Sequence, residues 1–349
     1  MSFPPLYISK PGVVFPGAPV DNRETIRRVR AQFKGTDRQF AKIEGAIERV
    51  FGLCKTRQRY LETDPSGTVG EYAVAAARQC LEVNRVSLDE VDLVVFGGIA
   101  RLYFEPATAM EVAAKLGIRK THAFDVTAAC VGHLEGLQAA AAYLQLHREY
   151  RTALVCTSEL SREFLSYDIQ RVRDLEMKSA GLTVGNAAAC LLLRSTPFPG
   201  GGIRLLAIDT IAVPDHWHLC QVPIKGTLFS SSVELMRLGK LIPPWIHERL
   251  AALGMKAGDI DHFVFHQPSE IMVRKLLEDT GVDPQKGVYT HSLYGNTASA
   301  SVGVTYQQLL KERTVRPGDK LVLGSAASGL SIVMATGIWS GEPSGGSHA

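Results

Sequence analysis

Three residues of this chain have side chains that could do chemistry together, although they lie far apart in sequence: Cys130, His266 and Asn296. Cys130 follows a strand-like stretch, Thr121 to Val126, and precedes an Ala-rich helical pattern running from about Val131 to Leu146. A cysteine at such a junction feels the positive end of the helix dipole, which favours thiolate over thiol. Its small neighbours Ala128, Ala129 and Gly132 allow a sharp turn and the close approach of a substrate. His266 comes directly after the apolar run Phe263-Val264-Phe265, and Asn296 follows Gly295. Taken singly, the cysteine reads as buried structure and the histidine as a satisfied core or surface residue. Brought together, a sulfur nucleophile, an imidazole and a carboxamide form a set with a rationale in nucleophilic catalysis.

What could bring them together is an internal duplication. Ser87-Leu88-Asp89-Glu90-Val91-Asp92-Leu93-Val94-Val95-Phe96 has its counterpart in Lys256-Ala257-Gly258-Asp259-Ile260-Asp261-His262-Phe263-Val264-Phe265. Each is an acidic turn followed by a short buried strand. The strand Thr152 to Ser158 likewise matches Lys320 to Ser325. Phe96 and Phe265 lie 169 positions apart, Cys130 and Asn296 166 apart, so Cys130 and Asn296 are expected at equivalent junctions facing one crevice. Apolar strands alternating with helical patterns predict an α/β architecture with helices on both faces of the sheets. The Ala-rich Gln138 to Ala142 suits a helix buried between two sheets. The expected division is an N-terminal half over 1–198 with the nucleophile, a C-terminal half over 199–340 with His266 and Asn296, and a disordered tail over 341–349; Gly200-Gly201-Gly202 looks like the join.

These segments carry a resemblance. Asp125-Val126-Thr127-Ala128-Ala129-Cys130, Val264-Phe265-His266-Gln267 and Gly295-Asn296-Thr297-Ala298-Ser299-Ala300-Ser301 resemble the three active-site segments of the thiolase superfamily, closest to its ketoacyl synthase III branch. The resemblance implies the five-layered αβαβα thiolase fold, a homodimer, and Claisen chemistry on acyl-CoA or acyl-carrier-protein thioesters with no further cofactor. It makes Cys130 the acylated nucleophile and His266 and Asn296 the donors to the second thioester. It makes the backbone N–H groups of Cys130 and Ser328 the oxyanion hole, Ser328 standing in a loop with fewer glycines than the family usually has. Leu102-Tyr103-Phe104-Glu105-Pro106 is similar to a motif of OleA-type enzymes, which join two acyl chains head to head. By that likeness Glu105, supplied to the partner subunit, is the base that removes an α-proton, and Ser269 lies beside the site. A decarboxylating synthase needs no such base, because loss of CO2 from a malonyl unit generates the enolate directly.

Composition excludes other classes. With 46% apolar and 21% charged residues and a net charge of +3, the chain is an ordinary globular protein with no nucleic-acid signature. No apolar run approaches the roughly 20 residues a membrane span requires, and Met1-Ser2-Phe3-Pro4-Pro5 is not a secretory signal. Six scattered cysteines without a CxxC pair suit reduced thiols in a cytoplasm. No metal is expected at His216-Trp217-His218 with Cys220, because no second cluster has ligand spacing. The basic residues Lys55, Arg57 and Arg59 are candidates for meeting CoA phosphates or an acidic carrier. Two other functions fit the same residues: an acyltransferase passing the Cys-bound group to an alcohol or amine, and a non-catalytic dimer partner.

Overall fold

The computed structural model describes residues 4–62, 64 and 66–344. Its frame is a path of ten strands: β1 (Leu6–Ile8), β2 (Gly12–Val14), β3 (Val91–Gly97), β4 (His122–Val126), β5 (Thr152–Glu159), β6 (Ala187–Arg194), β7 (Gly202–His216), β8 (His262–Phe265), β9 (Lys320–Ala327) and β10 (Gly329–Ser340). Their order is β8-β9-β10-β7-β1-β6-β5-β3-β4, with β2 also on β6. β3 pairs parallel with β4 and with β5, and β5 pairs antiparallel with β6. The second half repeats this: β8 pairs parallel with β9, and β9 antiparallel with β10. The counterpart of β4 has shrunk to a single parallel bridge between Phe263 and Gly287. β1, antiparallel to β6 and β7, sews the halves together.

Strand periodicity explains the layering. Successive side chains alternate faces, and here both faces are apolar. Leu93 and Val95 of β3 and Leu321 and Leu323 of β9 point into a central core with Leu134, Leu137, Val302, Tyr306 and Leu309 of the helices Gly132–Leu146 and Ser301–Glu312. Val94 and Phe96 face outward onto the helices Val69–Asn84 and Thr108–Leu116. Val322 and Phe263 face outward onto Ile242–Ala252 and Glu270–Asp279. Helices, sheet, helices, sheet, helices: the architecture is the expected five-layered α/β fold of two pseudo-symmetric halves.

The chain turns where the join is expected. Gly201 N–H donates to Phe198 O at 2.9 Å, and β7 begins at Gly202. Of the stretch expected to be a loose tail, Ser344 is buried. Its N–H donates to Val315 O at 2.9 Å, and its hydroxyl accepts from Val315 N–H at 2.8 Å. Residues 345–349 lie outside the described residues.

Candidate active site

Cys130 sits on a one-turn 3-10 helix, Ala129–Val131, that feeds directly into the helix Gly132–Leu146. The bend comes from Ala129, held at φ 47°, a region in which only glycine is unstrained. The close packing anticipated around Gly132 is there: a Cβ on Gly97, at the end of β3, would lie 2.1 Å from Gly132 O. The second half contains the same bend. Ala298, also at φ 47°, opens the one-turn 3-10 helix Ala298–Ala300 ahead of the helix Ser301–Glu312. Ala129 and Ala298 are 169 positions apart, the spacing of Phe96 and Phe265. The true counterpart of Cys130 is therefore Ser299, not Asn296, which lies just before the bend. The expected equivalence of Cys130 with Asn296 is corrected by three residues. The two bends pack against each other at the seam between the halves.

Asn296 is fixed by its main chain. Its N–H donates to Thr183 O and its carbonyl accepts from Gly185 N–H, both at 2.9 Å. Gly295 precedes it at φ 68°, where a Cβ would stand 2.4 Å from Thr183 O, so only glycine lets the two segments come this close. The side chain then reaches His266: Nε2 lies 3.0 Å from Asn296 Oδ1, and Oδ1 also accepts Ala298 N–H at 3.0 Å. His266 Nδ1 donates to Ala326 O at 3.1 Å, and His266 N–H donates to Gly324 O at 2.8 Å. Between these two partners stands Ser325, whose hydroxyl donates to Cys130 O at 2.9 Å. One tripeptide of β9, Gly324-Ser325-Ala326, thus holds both the histidine and the cysteine turn.

Electrostatics depart from the expectation of a thiolate. Burial pushes the Cys130 thiol well above the usual cysteine range, with Cys220 and Glu159 adding to the shift. Desolvation costs the anion more than the helix end returns. Burial likewise lowers His266, which is neutral at rest. Ser328 forms the turn between β9 and β10, next to the pairing of Gly329 with His216. Among the described residues no group of three His, Cys, Asp or Glu side chains could hold a metal ion.

Other candidate residues stand elsewhere. Glu105 is exposed and has no hydrogen-bond or ionic partner among the described residues. Ser269 caps the helix Glu270–Asp279, its hydroxyl accepting Met272 N–H at 3.3 Å, so it is occupied structurally. Lys55 and Arg57 are exposed. Arg59 is not: it is 1% exposed, donating to Leu182 O at 2.6 Å and Asn22 Oδ1 at 3.1 Å, with its guanidinium 5.0 Å from the Phe51 ring. An arginine so enclosed is not available to a phosphate. Sequence reasoning missed Ser325, Ser299 and Glu159; extending the 169-residue offset past Phe265 would have found Ser299.

Two duplicated α/β halves that bury a pair of helices between their sheets, with reactive residues at the seam, make the thiolase fold. Residues 124–212 match the family 3-oxoacyl-[acyl-carrier-protein] synthase III, and residues 250–338 match its C-terminal domain, together about half of the chain. The chain is 27% identical over 294 residues to β-ketoacyl-[acyl-carrier-protein] synthase III 2 of Lactiplantibacillus plantarum, covering 79% of this chain and 85% of that one. It is 26% identical over 282 residues to the acyl-CoA:acyl-CoA alkyltransferase of Shewanella oneidensis, covering 75% and 80%. The crystal structure of Xanthomonas campestris OleA with lauric acid and lauroyl-CoA superposes with a TM-score of 0.86 at 23% identity, covering 97% of this chain and all of that one, and so shares the fold. The chain belongs to the ketoacyl synthase III family of the thiolase superfamily and is an acyl-thioester condensing enzyme, and it shares its fold with OleA.

Proposed function

We propose that Cys130 takes an acyl group from a CoA or carrier-protein thioester and passes it to the α-carbon of a second thioester, giving a β-ketoacyl product. The observation that carries this is the His266–Asn296 contact, held on the same β9 tripeptide as the Cys130 turn. In the first step Sγ attacks the thioester carbonyl and the thiol proton passes to the free Nε2 lone pair of His266, which then carries the proton it donates in the second step. The backbone N–H groups of Cys130 and Ser328 hold the oxyanion, and the donor's thiolate departs. In the second step His266 and Asn296 donate to the carbonyl of the incoming thioester as enolate charge develops. The enolate carbon attacks the acyl-cysteine, and Cys130 leaves as thiolate.

Several features support a homodimer in which Glu105 serves the partner's site as the α-proton base. β4 is an edge strand with all five residues half-exposed, an open template for pairing. Beside Glu105, Phe104 is 77% and Leu102 50% exposed. Lys55 and Arg57 lie near the chain leading to Asn296, since Arg57 N–H donates to Ser292 O at 3.2 Å, and suit the phosphates of the thioester carrier. Six free cysteines fit a reducing cytoplasm.

The test has two parts. Incubation with acyl-CoA should add one acyl group by intact mass, absent in Cys130→Ala; no adduct at any chain length removes the reading. Product made from two acyl-CoA molecules without malonyl thioester, and lost in Glu105→Ala, supports the head-to-head mode. Strict malonyl dependence with full activity in Glu105→Ala refutes it.

A further inference from the structure

Glu159 ends β5 and is 2% exposed, yet no cation pairs with it among the described residues. Burying a carboxyl without a counter-ion is costly unless hydrogen bonds satisfy it. Its partners show what it does instead. Oε1 accepts Ile99 N–H at 2.9 Å and Oε2 accepts Ala100 N–H at 3.2 Å. Ser299 Oγ also donates to Oε1, and Thr157 shares the Ser299 hydroxyl. Three donors on two oxygens demand an acceptor-only group, which glutamine is not.

These donors belong to two different parts of the site. Ile99 and Ala100 open the loop that carries Leu102, Phe104 and Glu105; the loop is tied again where Arg101 meets Thr127, three residues before Cys130. Ser299 follows Ala298, whose N–H holds the Asn296 carboxamide oxygen facing His266. One buried carboxyl therefore fastens the Glu105 loop and the Asn296 bend to the same point of β5. We infer that Glu159 is a positioning residue for the condensation step, holding the Asn296 carboxamide and the Glu105 loop in mutual register. This rests on the condensing role proposed above.

Loading and condensation are separable and should respond differently. In Glu159→Gln, the amide –NH2 is forced against a backbone N–H. Acylation of Cys130 by acyl-CoA, followed by intact mass in single turnover, should stay within about threefold of wild type. Condensation by pre-acylated enzyme should fall about tenfold or more, the scale expected when oxyanion donors are displaced. Ser299→Ala leaves the Ile99 and Ala100 bonds intact and should show the same one-sided loss. The double variant should be no worse than Glu159→Gln alone, because both substitutions cut one link. If Glu159→Gln does not fold, Ser299→Ala decides by the same split. Equal losses in both half-reactions, unchanged condensation, or additive losses in the double variant would overturn the role of Glu159 while leaving the condensing function in place. A wild-type chain that takes no acyl group would overturn that function, and this inference with it.

Discussion

His266 Nε2 and Asn296 Oδ1 face each other at 3.0 Å, and the other contacts of both side chains make this pairing sensitive to one proton. Ala326 O can only accept, so Nδ1 carries the proton of the neutral ring. Ala298 N–H marks Oδ1 as the amide oxygen. Nε2 of the neutral ring therefore turns a lone pair toward an oxygen, and the contact becomes attractive when Nε2 gains a proton. In the acylation step proposed above, this lone pair is the acceptor for the Cys130 thiol proton. Asn296→Ala should leave acyl loading of Cys130 within a few-fold, while condensation falls about 10²- to 10³-fold, the usual effect of deleting an oxyanion donor. Rapid-quench measurement of each half-reaction checks this; an equal loss in both would refute separate roles.

A half-buried thiol with its pKa raised should be a sluggish nucleophile until substrate arrives. Alkylation of Cys130 by iodoacetamide should climb about tenfold per pH unit between pH 7 and 9, as expected for a group titrating above that range. Peptide mapping after timed labelling measures it. A plateau below pH 8 would mean that the helix end dominates and the resting group is a thiolate.

His291 braces the segment behind His266. Its Nδ1–H donates to Gln267 O at 3.0 Å, and Nε2 accepts the Thr56 hydroxyl at 2.7 Å, so the neutral ring is fully satisfied. Burial lowers its pKa to about 4, and that of His133 to about 4 as well. Below pH 6.5 the unfolded chain binds protons that the folded chain refuses. Stability is thus full above 6.5 and declines toward pH 4, each ring contributing a loss of up to about 3 kcal/mol. Urea midpoints from pH 7 to 4 should fall, and the slope should be shallower in His291→Asn. Thr56→Val should cost about 1–3 kcal/mol at neutral pH by leaving Nε2 without a donor.

Arg59 and its neighbours Lys55 and Arg57 should separate cleanly. Arg59→Ala strands buried carbonyl acceptors and should cost about 3 kcal/mol or more, read as a lower urea midpoint. Lys55→Glu with Arg57→Glu should change stability by under about 0.5 kcal/mol and raise KM for a CoA thioester. A KM that stays put would exclude these two from phosphate recognition.

The positions of Cys130, His266 and Asn296 at element ends could be read from sequence because such junctions leave local marks. The apolar run before His266, the small residues around Cys130 and the glycine before Asn296 each reflect a close approach that the fold then realises. Arg59 was misread because Lys55-Thr56-Arg57-Gln58-Arg59 looks like a charged surface run. The strand Gln58–Leu61 alternates faces, and its inward positions are Arg59 and Leu61. Glu159 left no mark at all. Its three donors come from residues 99, 100 and 299, and only the folded chain brings these together. The offset of 166 between Cys130 and Asn296 is close to the 169 of the strands but three short of it, and the paired bends at Ala129 and Ala298 keep the full 169.

Those paired bends have a wider consequence. Two corners of one shape confront each other, one bearing sulfur and the other a hydroxyl tied to an acid. The second corner is therefore scaffolding, and a repeated frame presents two chemically unlike faces to one seam.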